Sequence, residues 1–450
     1  MIKNAEEKEG KLAMSEHLSK EDLIDIHRRS LRERQIREHI GCESTNSVFK
    51  TDRQYKSDFY KYSICAVLEE FLQKHSYSVD YKVGLSENGP YSLKKEDLQI
   101  SLDKYKKCVT EGCFFIKDAK GNKFVLELEE SYGRDAWDIS LYYKEEQEKS
   151  VLSFVTDLEK YATDNSFLKN SKIDPSFSHI AIHNKYTWDD VILPSSVKKE
   201  LKTNIDNLFD NIQLYKKNDL SFKRGIILKG EPGTGKTLIG KVLCNQSKCS
   251  FVWVTPKFLQ RASDIKAICV LAREIAPTIL FLEDIDLYGN NRDDSSNASL
   301  LGELMNQLDG LVENRYIVTV ATTNNAGKLE DALRNRPGRF DRIIDIPKPS
   351  SEGRIKMLKL HVGKCSVDNV NFESVAKKTK GYTGAHIREL VTTAVICAIE
   401  ENSVDENQKV ILKQEHFDKN IEKVKAKKVG SVGFNVDSTD IPPSLGDDEW

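Results

Sequence analysis

Apolar residues recur along the chain in three rhythms, which change near residue 170 and again near residue 348. In the first 40 residues Leu23, Ile26, Leu31 and Ile36 make a thin stripe at helical spacing within a dense run of charge. The spacing predicts a charged helical extension over 1–40, and that much charge reads as a solvated surface. From 41 to 170 the pattern is mixed. Ser63–Lys74 (SICAVLEEFLQK) is amphipathic at a helical period. Cys113–Lys117, Lys123–Glu129 and Trp137–Tyr143 read as strands, the first two joined by a turn at Ala119-Lys120-Gly121-Asn122. This predicts an α+β N-terminal domain over 41–170, with no catalytic motif in it.

Between 171 and 347 short apolar runs alternate with helical stretches: Gly225–Lys229, Phe251–Thr255, Thr278–Leu282, Tyr316–Ala321 and Arg342–Ile346. Such alternation predicts an α/β domain, a parallel sheet with helices on both faces. Helical periodicity returns over 348–428 and predicts a small all-helical domain. Residues 429–450 read as an acidic disordered tail. Residues 430–450 hold Asp437, Asp440, Asp447, Asp448, Glu449 and two prolines but neither Lys nor Arg.

Composition narrows the function classes. With 68 basic against 70 acidic residues the net charge is −2, so no global field favours nucleic acid or an anionic membrane. No apolar run approaches the ~18 residues a membrane span requires, and MIKNAEEKEGKLAMSEH has no signal-peptide core. These features predict a soluble, cytoplasmic chain without a membrane span. Nine cysteines are scattered, and two pairs (Cys108 with Cys113, Cys244 with Cys249) share a C-x4-C spacing. A zinc site needs four clustered ligands, and neither pair has a second pair or a histidine pair close by. The reading is free thiols in a reducing compartment.

One segment carries unmistakable chemistry. Gly230-Glu231-Pro232-Gly233-Thr234-Gly235-Lys236-Thr237 satisfies G-x4-G-K-[ST] in full. Its glycines let backbone amides turn inward around phosphates; Lys236 adds a point charge on the β- and γ-phosphates, and the Thr237 hydroxyl suits Mg²⁺. The context also fits: GIILK is the strand before the loop, and TLIGKVLCN, with Leu238, is the helix whose positive end meets the phosphates. About forty residues on, Ile279–Leu282 leads into Glu283-Asp284-Ile285-Asp286. One of the paired carboxylates would hold the metal and the next orient the attacking water.

From Trp188-Asp189-Asp190-Val191 to about Lys428 the chain resembles the AAA ATPase family, over a little more than half its length. Beyond the two motifs, the resemblance rests on Asn306-Gln307-Leu308-Asp309-Gly310, Ala321-Thr322-Thr323-Asn324, Asp331-Ala332-Leu333 and Arg336-Pro337-Gly338-Arg339-Phe340-Asp341-Arg342. It implies an ATP- and Mg²⁺-dependent ATPase assembled as a homo-oligomer, a hexamer in many relatives. Asn324 would be the sensor of the γ-phosphate, and Arg339 and Arg342 the arginine fingers reaching a neighbour's ATP. The helical segment resembles the family's lid, in which His361 would contact the adenosine and Gly384 and Ala385 would approach the nucleotide. Asp190, Val191 and Ile192 would line the adenine.

Two departures from the family pattern stand out. The acidic order is Glu283 then Asp284, the reverse of the usual one, as in the branch that includes the mitochondrial Rieske-protein translocase. The metal-side arm is then one methylene longer and the water-side arm one shorter, each by roughly 1.5 Å, on a scale that matters for attack geometry. Secondly, Thr255–Asp264 has no glycine after Phe258-Leu259, so the peptide-gripping triplet of many unfoldases is incomplete. The 450 residues also hold no H-E-x-x-H, which excludes the fused-metalloprotease branch. The leading expectation is an ATP-driven remodeller of a protein partner, with residues 1–170 as adaptor. A nucleotide-gated assembly protein of slow turnover and a nucleic-acid motor or loader are the alternatives. The basic residues near the end (Lys419, Lys423, Lys425, Lys427, Lys428) abut the acidic tail, which argues against nucleic acid.

Overall fold

The computed structural model describes residues 31–44, 47–84, 92–131, 136–182, 184–220, 222–287, 302–308, 315–324 and 340–426. The acidic tail, most of the 1–40 extension and the block Asp331–Arg339 lie outside the described residues.

The N-terminal domain is an antiparallel sheet between helices. It comprises α1 (31–40), β1 (Phe49–Tyr55), α2 (Asp58–Lys74), β2 (Ser78–Val83), β3 (Lys94–Ser101), β4 (Lys104–Lys117), β5 (Lys123–Ser131), β6 (Ala136–Tyr143) and α3 (Glu148–Asp164). The strand order is β1-β6-β5-β4-β2, and β3 pairs with β4. Helix α2 starts where Ser57 Oγ accepts from the Phe59 amide at 3.3 Å, a side-chain cap for an otherwise unpaired donor. One sheet face packs on α2 and α3 through Phe71, Phe114, Leu126 and Phe154.

The other face receives α1, and here the expectation of a solvated extension is corrected. Ile36 and Ile40 are 3% and 4% exposed and pack on Val83, Cys113, Phe115 and Val125. Arg32 Nη1 donates to Glu127 Oε1 at 2.7 Å, and that carboxylate lies in the sheet with its side chain 1% exposed. Burying an unpaired carboxylate is prohibitive, so the guanidinium and the apolar pair fix this helix together. Within 31–40 the charge conceals a docking face made by Ile36 and Ile40.

The second domain is the expected parallel sheet. Its strands are β7 (Lys172–Ile173), β8 (Lys223–Lys229), β9 (Ser250–Val254), β10 (Thr278–Leu282), β11 (Ile317–Thr323) and β12 (Arg342–Asp345). They run in the order β12-β8-β11-β10-β9-β7, every pair parallel. Side chains alternate between two cores, as the period of two requires. Ile227, Val252, Leu280 and Leu282 meet α8 (Ala262–Glu274) and α9 (302–308). Ile226, Leu228, Phe251, Phe281 and Val320 meet α7 (Lys236–Gln246) and the helices α4 (Ser195–Asn204), α5 (Asp206–Asp210) and α6 (Ile212–Lys217).

The lid comprises α10 (Ser351–Val362), β13 (Ser366–Asp368), α11 (Phe372–Lys378), α12 (Gly384–Glu400), β14 (Ile411–Lys413) and α13 (Gln414–Ala426). Helices dominate it, and the short parallel ladder β13–β14 is an addition to the all-helical expectation. Leu358, Ile387, Leu390, Leu412 and Phe417 fill its centre.

All nine cysteines are free thiols. Burial pushes Cys244 up to about 12 and Cys108 and Cys249 up to about 11, so these sulfurs stay protonated and serve as small apolar groups. None of the described helices is long and apolar enough to cross a membrane.

Candidate functional site

Because the strands are parallel, the C-terminal ends of β8, β10 and β11 open on the same edge of the sheet, and the candidate residues converge there. After β8 the chain turns through 230–235 and enters α7 at Lys236. Gly233 and Gly235 take φ of +78° and +106°, which a side chain disfavours. Gly230 is required by closeness instead: a Cβ there would lie 2.6 Å from the Ile346 carbonyl oxygen. Thr234 Oγ1 donates to the Glu231 carbonyl at 2.9 Å and closes the turn.

Lys236 is buried at the loop's foot. Its Nζ donates to the carbonyls of Gly230 (2.7 Å) and Glu231 (3.0 Å) and to Asn324 Oδ1 (2.7 Å). Burial pulls its pKa below the ordinary lysine value, opposed by Asp284 and Asp286. Asn324 therefore touches the P-loop cation, and its Nδ2 donates to Asp284 Oδ1 at 3.2 Å. One amide side chain joins loop and carboxylate.

The two acids face different partners. Glu283 Oε1 accepts from Thr237 Oγ1 at 2.7 Å and Oε2 from Trp253 Nε1 at 3.1 Å. Asp284 turns the other way, at φ +46°. Its amide donates to Thr322 Oγ1 at 2.8 Å, while Thr322 Oγ1 and Asn324 Nδ2 reach its Oδ1. Burial, then Glu283 and Asp286, raise the Asp284 pKa above the usual carboxylate value, against Lys236 and Thr322.

The chemistry of the Thr237–Glu283 pair fits a hard cation. The two oxygens are 2.7 Å apart, and neighbouring oxygens around an octahedral Mg²⁺ sit roughly 3 Å apart given bonds of 2.0–2.1 Å. Thr237 is exposed, so a nucleotide-borne metal could reach it.

The lid closes over the loop. The Ala385 amide donates to the Gly233 carbonyl at 3.1 Å, and a Cβ on Gly384 would lie 3.3 Å from the same oxygen. Lys348 Nζ pairs with Glu231 Oε2 at 2.7 Å across the same gap. Pro232 beside them is exposed, and Leu238 packs half-buried against the α7 core.

Asp190 Oδ2 accepts from the Thr187 amide (2.7 Å) and hydroxyl (3.1 Å), which shapes the turn ahead of buried Val191. Ile192 reaches the start of α10, where a methyl on Gly353 would lie 3.7 Å from its Cγ2. His361 is exposed near the far end of α10. Arg342 opens β12 opposite Ile226, four residues short of the P-loop, or roughly 13 Å at the strand rise. It is exposed and outside its own chain's phosphate site; Arg339 lies outside the described residues.

Three residues to which sequence reasoning gave no role take part. Asp286 Oδ1 accepts from the Asn324 amide at 3.1 Å, Thr322 bridges to Asp284, and Trp253 holds Glu283. The first two fall inside the quoted motifs. Trp253 has no motif signal, because its partner lies on a neighbouring strand.

Comparison with known proteins agrees with this geometry. Residues 226–348 match the model of the ATPase family associated with various cellular activities (AAA), and residues 369–419 match that of the AAA+ lid domain. The ATP-dependent zinc metalloprotease FtsH 2 of Thermoanaerobacter is 34% identical over 248 residues, 53% of this chain and 47% of that protein. The 26S proteasome regulatory subunit 8 of Dictyostelium discoideum is 31% identical over 273 residues, 57% of this chain and 66% of its own. The proteasome-activating nucleotidase of Pyrococcus abyssi is 32% identical over 250 residues, 53% and 61% respectively. The chain thus spans about half the length of the first of these relatives. With the sheet, the loop, the acids and the lid in their places, the chain carries an ATPase domain of the AAA family followed by its lid.

Proposed function

We propose that this chain binds ATP with Mg²⁺, hydrolyses it in a site completed by a neighbouring copy, and uses the cycle to remodel a protein partner. The supporting observation is the chain of contacts Lys236–Asn324–Asp284 beside the Thr237–Glu283 pair. When bound, ATP supplies the γ-phosphoryl group and Mg²⁺ neutralises its developing charge. Lys236 and the loop amides hold the phosphates, and Thr237 and Glu283 hold the metal. Asp284 takes up the water's proton at its carboxylate, and Asn324 keeps that carboxylate and the lysine in register. Arg339 and Arg342 act on the next copy's nucleotide, as guanidinium groups suit equatorial phosphoryl oxygens. The relatives' names speak of proteolysis and the proteasome, which supports a protein as substrate; a homo-oligomer, a hexamer, is the assembly that the family resemblance implies.

The loop 256–261 favours remodelling without threading of whole chains. Leu259 is buried, Phe258 packs half-buried on the same core, and Asp264 Oδ2 accepts from the Gln260 and Arg261 amides at 3.0 and 2.8 Å. A grip needs an aromatic free to enter a channel; here the apolar pair faces inward. The partner then engages the N-terminal domain.

Substitution separates these roles. Lys236→Ala is expected to lose tight ATP binding. Asp284→Asn is expected to bind ATP and not turn it over, measured by calorimetry and phosphate release. Turnover by Asp284→Asn together with trapping of ATP by Glu283→Gln would reverse the two assignments. Binding with negligible turnover by the unmodified chain, with or without protein or DNA, would favour the gated-assembly alternative.

A further inference from the structure

We propose, resting on the ATP–Mg²⁺ reading of this site, that Trp253 is the positioning residue that makes the long Glu283 arm competent to hold the metal. A glutamate has one more rotatable bond than the aspartate usual here, so its carboxylate samples more positions and is harder to place. The structure supplies a second anchor. Trp253 Nε1 donates to Glu283 Oε2 at 3.1 Å, leaving Oε1 to face Thr237 Oγ1 at 2.7 Å. A planar carboxylate held at one oxygen by an indole N–H has its other oxygen aimed.

The indole is itself fixed by packing. Trp253 is the ladder partner of Phe281, so Glu283, two residues past Phe281, points to the same face of the sheet. The Trp253 and Phe281 ring centroids are 4.8 Å apart, and Phe251 lies 5.9 Å from Trp253. Gly240 also borders Phe281, and a Cβ there would lie 2.5 Å from the ring. Gly240 lies three residues past Thr237 on α7. The glycine therefore lets α7 approach the aromatic wall, and that approach sets Thr237 against the carboxylate the wall supports. Trp253 touches neither substrate nor metal in this scheme; it acts through Glu283, as hydrogen-bond partners behind a metal ligand do.

Trp253→Phe keeps the aromatic packing and removes only the N–H. Nucleotide affinity is measured by calorimetry in chelator and across a Mg²⁺ titration, together with the Mg²⁺ dependence of ATP turnover. The expected result is unchanged affinity in chelator and Mg²⁺ half-saturation raised about tenfold. Glu283→Asp supplies the second arm: a shorter carboxylate falls short of the indole, so adding Trp253→Phe to it leaves the Mg²⁺ titration where Glu283→Asp alone puts it. Identical Mg²⁺ titrations of Trp253→Phe and the unmodified chain overturn the proposal, as do additive effects in the double variant. A Trp253→Phe chain that loses affinity in chelator as well marks a packing role and also overturns it. Lack of any Mg²⁺ enhancement in the unmodified chain would instead overturn the ATP–Mg²⁺ reading on which the proposal rests.

Discussion

Asp284 occupies the most demanding backbone position among the acids. At φ +46° it sits in the left-handed region, which for a residue with a side chain costs about 1–3 kcal/mol unless its surroundings hold it. Thr322 does the holding by accepting from its amide, and Asn324 fixes the carboxylate. The charge is also disfavoured, because burial and the neighbouring Glu283 and Asp286 raise the Asp284 pKa. The folded, nucleotide-free chain therefore keeps this proton more firmly than the unfolded chain does. The resulting stability is full below the ordinary carboxylate range and is lost as pH rises through the raised folded pKa. At pH 7 Asp284→Asn is thus expected to melt higher than the unmodified chain while losing turnover, the trade expected of a strained site. That advantage should shrink as pH falls into the carboxylate range, at about pH 4–5. A melting difference that stays constant on acidification would show that the charge is not its source.

At the scale of elements, the contact between domains matters most. Phe59, near the start of α2, is 0% exposed and belongs to the core of the ATPase sheet, with Leu168, Val252 and Leu271. Beside it Tyr60 donates to Glu274 Oε2 at 3.2 Å, at the end of α8, and β7 joins the sheet edge directly after Leu168. The N-terminal domain and the ATPase domain therefore share a core. Phe59→Ala is expected to cost about 3–5 kcal/mol, as truncation of a fully buried phenylalanine does. Denaturant unfolding followed by a probe in the ATPase domain should register it, and no shift there would show that the domains fold independently. For the same reason, removal of residues 1–170 would uncover the apolar surface of the ATPase sheet that Phe59 and Leu168 cover. This junction is not legible in the sequence, because a phenylalanine beside a helix cap looks the same whichever core it enters. The P-loop and the acidic strand are legible, since their chemistry is local and tied to spacing. Val151, Phe154, Val155, Leu158 and Ala162 repeat at helical spacing and mark α3, to which the mixed pattern of 41–170 assigns nothing. The Lys-rich start of β4 and the polar β3 carry too few apolar residues to announce strands.

For the whole molecule, the question is what completes the site. Lys236, inside the phosphate loop, is already shared among two carbonyls and Asn324, and Lys348 is paired with Glu231. Arg342 starts β12 at the end of the sheet away from its own P-loop, exposed to whatever lies beside that edge. In a closed ring built head to tail, the surface of one copy that carries Arg342 meets a different surface of the next. A finger supplied this way makes hydrolysis a property of the interface. Lys236→Ala and Arg342→Ala are each expected to be inactive alone, the first unable to bind ATP and the second able to bind but not to turn it over. Mixed in equal amounts, about one interface in four pairs an intact loop with an intact arginine, so turnover should return to a corresponding fraction of the unmodified rate. Size-exclusion and cross-linking of differently tagged copies would verify that mixed rings form. If they do and activity stays at zero, the arginine serves its own chain's nucleotide, and the exposed start of β12 would have to fold back across the sheet edge to reach it.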